Sequence, residues 1–156
     1  MKSNWGVIGG GLCGQFIALR LAEQGHRVTL VEASDKASWV SARLALGDMP
    51  SQLIHASDHR LLALLDELGL SDAVEWARVD GQIPPVEERL GFLHGGYRKF
   101  LDALDARLSE VEVKVVTGRR VTSVSSGTLH HFVDTAHGGW VFDRVVSTLS
   151  AATTVK

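Results

Sequence analysis

The sequence predicts an α/β domain with a parallel central sheet, and three observations support this class. The first is an apolar run at residues 5–8, followed directly by the glycine-rich stretch "GGGLCG". The second is a change to helical spacing of apolar residues between Leu12 and Gly25. The third is a β-branched run at residues 27–32. Strand, glycine turn, helix and strand together form a βαβ unit, whose two strands are parallel.

The middle of the chain predicts two further amphipathic helices. Leucines recur at helical spacing in "SDHRLLALLDELGL", where Ser57 or Asp58 can cap the start and Gly69 can end the helix. The stretch "GGYRKFLDALDARL" carries a second apolar face at the same spacing. Between these two helices, "SDAVEW" is interpreted as a short additional helix. Residues 33–56 are interpreted as a connection with one helical turn around residues 41–46.

The last third of the chain predicts short strands. Alternating or β-branched residues occupy 111–116, 120–125, 129–135, 139–143 and the final run "RVVSTL". Turn signals stand at Ser126-Gly127 and at Gly138-Gly139. We interpret the later strands as a small antiparallel β-meander that forms one crossover of the parallel sheet. The complete prediction is a three-layer α/β domain that comprises residues 1–156 as a single domain.

The glycine stretch and one acidic residue predict a ligand. Gly9, Gly11 and Gly14 fit the pattern G-x-G-x-x-G, whose glycines allow a tight turn, backbone approach to a pyrophosphate and close helix packing. The start of the helix then directs N–H groups and the positive end of its dipole at the phosphates. Glu32 ends the second strand at the spacing where an acid accepts hydrogen bonds from an adenosine ribose. An acid there disfavours the 2′-phosphate of NADP, so FAD and NAD remain, with a plain tight turn as the structural alternative.

Composition and motifs exclude several other classes of function. The net charge is -2 and the charges alternate in sign, which predicts no nucleic-acid partner. No apolar run approaches the roughly 18 residues of a membrane span, and the single cysteine, Cys13, suits a reducing cytoplasm. His130 and His131 are adjacent in a predicted strand, where they point to opposite sides, so we predict no metal site. No nucleophile motif is present, and the sequence nominates no catalytic acid or base.

The stretch "VIGGGLCGQFIALRLAEQGHRVTLVEASDK" resembles the N-terminal FAD fingerprint of a family of oxidoreductases. This family is the group of flavin-containing amine oxidases, phytoene desaturases and protoporphyrinogen oxidases. Four later stretches resemble further blocks of the family in the same order, namely "LLALLDELGLSDAVEW", "ERLGFLHGGYRKFLDAL", "VTGRRVTSV" and "FDRVVSTLS". The resemblance favours FAD over NAD as the cofactor. It also implies that the predicted α/β domain is a three-layer, Rossmann-like FAD/NAD(P)-binding domain with a parallel sheet and a β-meander crossover.

The resemblance also implies which residues contact FAD. Those on the pyrophosphate side are Gly9, Gly10, Gly11, Leu12, Cys13 and Gly14. Those on the adenosine side are Glu32 with Ala33 at the ribose, Lys36 in the place of a phosphate-side arginine, and Val121, whose backbone meets the adenine. Ser147 and Thr148 are expected near the ADP half of the cofactor.

The chain departs from the family pattern at three places. Ser38-Trp39 stand where the family has a Gly-Gly pair near the flavin. Little sequence separates "GQIPP" from "EERLGFL", where the family carries a long substrate-domain segment, and the C-terminal glycine-acid motif does not follow "VVSTLS". The expectation is therefore an FAD-binding core whose substrate domain is largely absent.

Two functions follow as expectations. The first is an FAD-dependent oxidoreductase, or the FAD-carrying part of one, that passes hydride from a small organic, amine-like substrate to flavin. The alternative is a non-catalytic dinucleotide-binding module, or reduced relic, that binds FAD, NAD or ADP-like ligands. For the oxidoreductase, a second copy of the chain or a separate subunit is expected to complete the site, whereas the non-catalytic module is expected to need no small-molecule substrate and to form an oligomer at most.

Overall fold

The structure is a computed structural model that describes residues 2–35, 54–79 and 81–149, and these form two compact units. The first unit contains residues 2–35 and 107–149, and the second contains the described residues from 54 to 106. The helical turn predicted around residues 41–46 lies outside the described residues.

The chain contains ten named strands, three α-helices and two short 3₁₀ helices in its described part. In chain order these are β1 (Asn4–Ile8), α1 (Leu12–Glu23), β2 (Arg27–Val31), β3 (Ile54–His55), α2 (His59–Glu67), a 3₁₀ helix (Ser71–Ala73), β4 (Val74–Trp76), a 3₁₀ helix (Val86–Glu88), β5 (Leu90–Leu93), α3 (Gly96–Glu110), β6 (Lys114–Val116), β7 (Val121–Ser126), β8 (His131–Thr135), β9 (Gly138–Phe142) and β10 (Arg144–Ser147).

A parallel sheet organises the first unit, as predicted. Its strand order is β10-β1-β2-β6, and each neighbouring pair is parallel. Val7 at the centre of this sheet is fully buried and lies in register with Leu30 on one side and Val146 on the other. Helix α1 connects β1 to β2 and contacts both strands, so the predicted βαβ unit is confirmed. The carboxyl ends of all four strands therefore meet at one edge.

Helix α1 ends where its sequence predicts. Gly25 has a φ of +85°, and its N–H donates to the carbonyl oxygen of Ala22 at 2.8 Å. The N–H of His26 donates to the carbonyl oxygen of Leu21 at 3.1 Å. These two bonds form the Schellman motif, which favours glycine because the residue after the helix is left-handed.

The β-meander crossover is also confirmed. Strands β7, β8 and β9 follow β6 and precede β10 along the chain, and they form an antiparallel sheet of their own. Val133 and Phe142 of this sheet pack against Ile8 of β1. Helix α1 also contacts β1, so a helix and the meander both pack against the parallel sheet. One turn differs from its prediction: Gly138-Gly139 lie inside β9, and residues 136–137 form the turn.

The second unit contains an antiparallel sheet of order β3-β5-β4. Helix α2 begins as predicted, because the carboxylate of Asp58 accepts the N–H of Leu61 at 3.0 Å, and Gly69 follows its end with a φ of +67°. The helix predicted for "SDAVEW" is wrong, since only Ser71–Ala73 form a 3₁₀ turn and the next three residues form β4. Among the described residues, no helix is long and apolar enough to cross a bilayer.

Candidate functional site

The loop that follows β1 lies between the carboxyl ends of β2 and β10. The N–H of Gly9 donates to the carbonyl oxygen of Val31 at 2.9 Å, and the N–H of Thr148 donates to the carbonyl oxygen of Ile8 at 2.9 Å. Strands β2 and β6 lie on one side of β1, and the later strand β10 lies on its other side, so the order of strands in the sheet reverses at β1. Open α/β sheets bind ligands in the crevice at such a switch point.

Gly9, Gly10 and Gly14 have no room for side chains. A Cβ atom at Gly14 would lie 1.8 Å from the backbone oxygen of Gly9, and one at Gly10 would lie 2.9 Å from Cβ of Glu32. Gly9 has a φ of +104°, and a Cβ there would lie 2.6 Å from the hydroxyl oxygen of Thr148. The loop is therefore packed closely against Glu32 on one side and Thr148 on the other.

The start of helix α1 offers unbonded N–H groups. Gly11 is the N-cap residue, and no side chain caps the helix. The first helical hydrogen bond runs from the N–H of Gln15 to the carbonyl oxygen of Gly11 at 3.0 Å. The N–H groups of Leu12, Cys13 and Gly14 consequently have no acceptor within the helix, which is the arrangement that binds phosphate oxygens. The Cys13 thiol is free and exposed beside them.

Glu32 is the acidic side chain that the described structure buries, with 8% of it exposed. One carboxylate oxygen, Oε2, accepts the N–H of Gly10 at 2.6 Å. The other, Oε1, accepts the N–H of Ser34 at 2.8 Å and its hydroxyl at 2.7 Å. Burial raises the pKa of Glu32, but the hydrogen bonds from Ser34, Gly10 and the Ala33 backbone outweigh burial and hold the pKa below its ordinary value. Glu32 is thus held as a carboxylate beside the loop.

The segment after β2 is fixed by the segment after β6. The backbone N–H of Glu32 donates to the carbonyl oxygen of Val116 at 2.8 Å, and the N–H of Arg119 donates to the carbonyl oxygen of Glu32 at 2.9 Å. The N–H of Gly118, whose φ is +65°, donates to the carbonyl oxygen of Ser34 at 2.8 Å. The position of the carboxylate therefore depends on backbone bonds as well as on its own contacts.

Thr148, which follows β10, bonds to the start of the loop on the side opposite Glu32. Its hydroxyl donates to the carbonyl oxygens of Ile8 at 3.1 Å and Gly9 at 3.3 Å. Ser147 pairs in register with Ile8, and its own hydroxyl oxygen accepts the N–H of Leu149 at 3.4 Å. The structure thus brings Ser147 and Thr148 to the glycine loop, and their position near the ADP half of FAD stays a prediction.

Val121 lies on the meander rather than in the loop. It pairs with Thr135 in the ladder of β7 and β8, and its half-buried side chain packs against the cluster that contains Ile8. The predicted contact of its backbone with adenine stays a prediction. Lys36 and Ser38-Trp39 lie outside the described residues. In the part of the chain that the structure describes, no three His, Cys, Asp or Glu side chains are grouped to hold a metal ion.

Sequence reasoning missed two features of the site. Gly10 stands at a variable position of the motif G-x-G-x-x-G, yet its N–H donates the hydrogen bond that joins the loop to Glu32. Ser34 provides two of the hydrogen bonds to the carboxylate and carries no sequence signal beyond its place after the strand. Together, the uncapped helix start, the glycine loop and the buried carboxylate fit the ADP half of a dinucleotide.

Comparison with solved structures supports the fold. The PF1083 protein from Pyrococcus furiosus matches with a TM-score of 0.69 at 16% identity, over 98% of this chain and 60% of that protein. FqzB matches with a TM-score of 0.66 at 18% identity, over 96% of this chain and 37% of that protein. The anhydrotetracycline hydroxylase OxyS from Streptomyces rimosus matches with a TM-score of 0.64 at 18% identity, over 99% of this chain and 33% of the enzyme. This chain therefore spans only part of the length of these proteins.

Comparison of the sequence identifies the family. No curated protein matches the chain at the significance that we required. The profile of the DAO family, described as FAD dependent oxidoreductase, matches residues 4–144, which include the loop, Glu32 and the meander. The predicted FAD dependence is confirmed at this level, whereas the finer assignment to the amine oxidase group stays a prediction. The chain belongs to the DAO family of FAD dependent oxidoreductases.

Proposed function

We propose that this chain binds FAD at the carboxyl edge of its parallel sheet and serves as the FAD-binding part of an oxidoreductase. The observation that carries the proposal is the contact of the buried Glu32 carboxylate with the N–H of Gly10 at 2.6 Å. This contact joins the acid suited to a ribose to the loop suited to a pyrophosphate. Both groups are needed to hold the ADP half of FAD.

Each part of the site has its own role in this proposal. The N–H groups of Leu12, Cys13 and Gly14 receive the pyrophosphate oxygens, because they lack acceptors within the helix. The Glu32 carboxylate accepts hydrogen bonds from the adenosine ribose. Thr148 holds the start of the loop in place by bonding to the carbonyl oxygens of Ile8 and Gly9. The flavin supplies hydride-transfer chemistry when it is bound, and the protein supplies orientation.

The substrate belongs to the same proposal. The resemblance of the sequence to the amine oxidase group supports a small, amine-like hydride donor. We also propose that a second copy of the chain or a separate subunit contributes residues to the active site. The exposed, free Cys13 thiol supports a reducing compartment, so we place the protein in the cytoplasm.

Titration with FAD, followed by quenching of flavin fluorescence, tests the proposal. We expect Glu32→Gln to weaken FAD binding about tenfold, because the amide carries no charge and turns a donor toward other donors. Glu88→Gln, at an exposed position in the second unit, is the matched control and should leave the affinity unchanged. Equal affinity of wild type and Glu32→Gln would contradict the placement of the ribose.

Anaerobic mixing of the FAD-loaded protein with small amines tests the catalytic part. Loss of the visible flavin absorption without any added protein would support an amine-like substrate. If FAD binds and no donor reduces it, the non-catalytic dinucleotide-binding module is the better description of this chain.

A further inference from the structure

The hydrogen bonds of Glu32 divide unequally between its two oxygens. Oε2 accepts one bond, from the loop, whereas Oε1 accepts two, both from Ser34. The backbone N–H of Ala33 also donates to this carboxylate. Ser34 bonds the oxygen that Gly10 does not bond, so the two residues hold the two ends of the carboxylate.

We propose that Ser34 is a positioning residue for Glu32, whose hydroxyl orients the carboxylate toward the adenosine ribose of bound FAD. The inference rests on the proposed function, in which Glu32 accepts the ribose hydroxyls. The hydroxyl of Ser34 donates its proton to Oε1 at 2.7 Å. Its effect on the ligand passes through Glu32.

The surroundings of Ser34 explain why the hydroxyl is held in place. The carbonyl oxygen of Ser34 accepts the N–H of Gly118 at 2.8 Å, and its own N–H donates to Oε1 at 2.8 Å. The backbone is thus fixed on both sides of the side chain. A hydroxyl on a fixed backbone loses little conformational entropy when it bonds to the carboxylate. More of the free energy of this hydrogen bond is therefore left to orient Glu32.

The hydroxyl can be removed without disturbing these backbone bonds. Ser34→Ala keeps both backbone contacts and removes the bond from Oγ to Oε1. We expect about tenfold weaker FAD binding, the range of one charge-assisted hydrogen bond. Ser34→Thr retains the hydroxyl and should restore most of the affinity, whereas Ser34→Val has the shape of threonine without its hydroxyl and should not. The Thr and Val pair isolates the hydroxyl even if the alanine variant folds poorly.

A double-mutant cycle separates positioning from a general structural role. If Ser34 acts through Glu32, then Ser34→Ala should cause no further loss of FAD affinity in the Glu32→Gln background. Ser71→Ala is the matched control, because it removes a serine hydroxyl bond to a carboxylate, that of Asp66 at 3.1 Å, in the second unit. That control should leave FAD affinity unchanged.

The outcomes distinguish this inference from the proposed function. Failure of the wild-type protein to bind FAD overturns both. Binding by wild type with equal affinity of the Ser34→Thr and Ser34→Val variants overturns only the role of Ser34. The same fold loss from Ser34→Ala in the wild-type and Glu32→Gln backgrounds also overturns it, since the serine would then act independently of the carboxylate.

Discussion

Helices α1 and α3 both begin beside glycines, but the contacts of those glycines differ. At α1, a Cβ on Gly14 would lie 1.8 Å from a backbone oxygen and a Cβ on Gly10 would meet the buried Glu32. At α3, a Cβ on Gly95 would meet only the flexible side chain of Lys99 at 3.3 Å or more, and a Cβ on Gly96 would meet no described atom within 4 Å. Both glycines before α3 have positive φ, +87° and +66°.

Glycine is required before the two helices for different physical reasons. Before α3, glycine is needed because the backbone is left-handed, and the space around it is open. Before α1, glycine is needed because backbone, a neighbouring strand and a carboxylate all approach within contact distance. Only the second situation prepares a surface on which a pyrophosphate can lie against backbone N–H groups.

Gly14→Ala should have the largest effect, because the obstacle is a backbone atom that cannot rotate away. The helix start must separate from the loop, so we expect a loss of about 3 kcal/mol of unfolding free energy and a loss of FAD affinity of at least about a hundredfold. Thermal unfolding and FAD titration measure the two effects. A stable variant with normal FAD affinity would show that the close approach of Gly14 to Gly9 is not required.

Gly10→Ala should have a smaller effect on both stability and binding. The nearest atom that its Cβ would meet is Cβ of Glu32 at 2.9 Å, which is fixed to the backbone, so the loop must shift, but by less than the 1.8 Å approach at Gly14 demands. We therefore expect a smaller destabilisation than for Gly14→Ala, about 1–2 kcal/mol. The shift would displace the N–H of Gly10 from the carboxylate, which should weaken FAD binding about tenfold. Equal loss of stability in the Gly10 and Gly14 variants would show that the degree of overlap at these two positions does not determine the cost.

Some of this site could be predicted from the sequence. The loop, the helix cap at Gly25 and the acid at Glu32 follow from local patterns, since strand, helix and turn chemistry repeat over short distances. The contact between Gly10 and Glu32 could not be predicted, because the two residues are 22 positions apart and no periodic pattern in the sequence indicates a contact at that separation. The same holds for Ser34, whose hydroxyl is meaningful only once the carboxylate is in place.

The second unit shows a different limit of prediction. Strands β3, β4 and β5 have two to four residues, which is too short for alternation to be recognised. Gly91 in β5 reads as a strand breaker, yet a Cβ there would lie 2.8 Å from the Trp76 ring, so glycine is required by packing. The reason for glycine in this strand is visible only in the structure, where the Trp76 ring lies against it.

Acid should destabilise the region of Glu32. Because hydrogen bonds hold the folded-state pKa of Glu32 below its ordinary value of 4.5, its contribution to stability is complete above that value and is lost as the pH falls through the folded-state pKa. Urea unfolding from about pH 7 to about pH 3 measures this, and Glu32→Gln should show a smaller fall over the same range. Parallel curves for wild type and variant would assign the acid sensitivity to other carboxylates.

Gly96→Ala should have the smallest effect on the ligand. Its Cβ has open space, so the cost is that of a left-handed backbone alone, about 1–2 kcal/mol of unfolding free energy. FAD affinity should equal that of wild type, because the turn before α3 has no close-packed backbone to displace. Weaker FAD binding in this variant would mean that the second glycine turn also contributes to the site, and the contrast between the two helix starts would then lie only in packing and not in function.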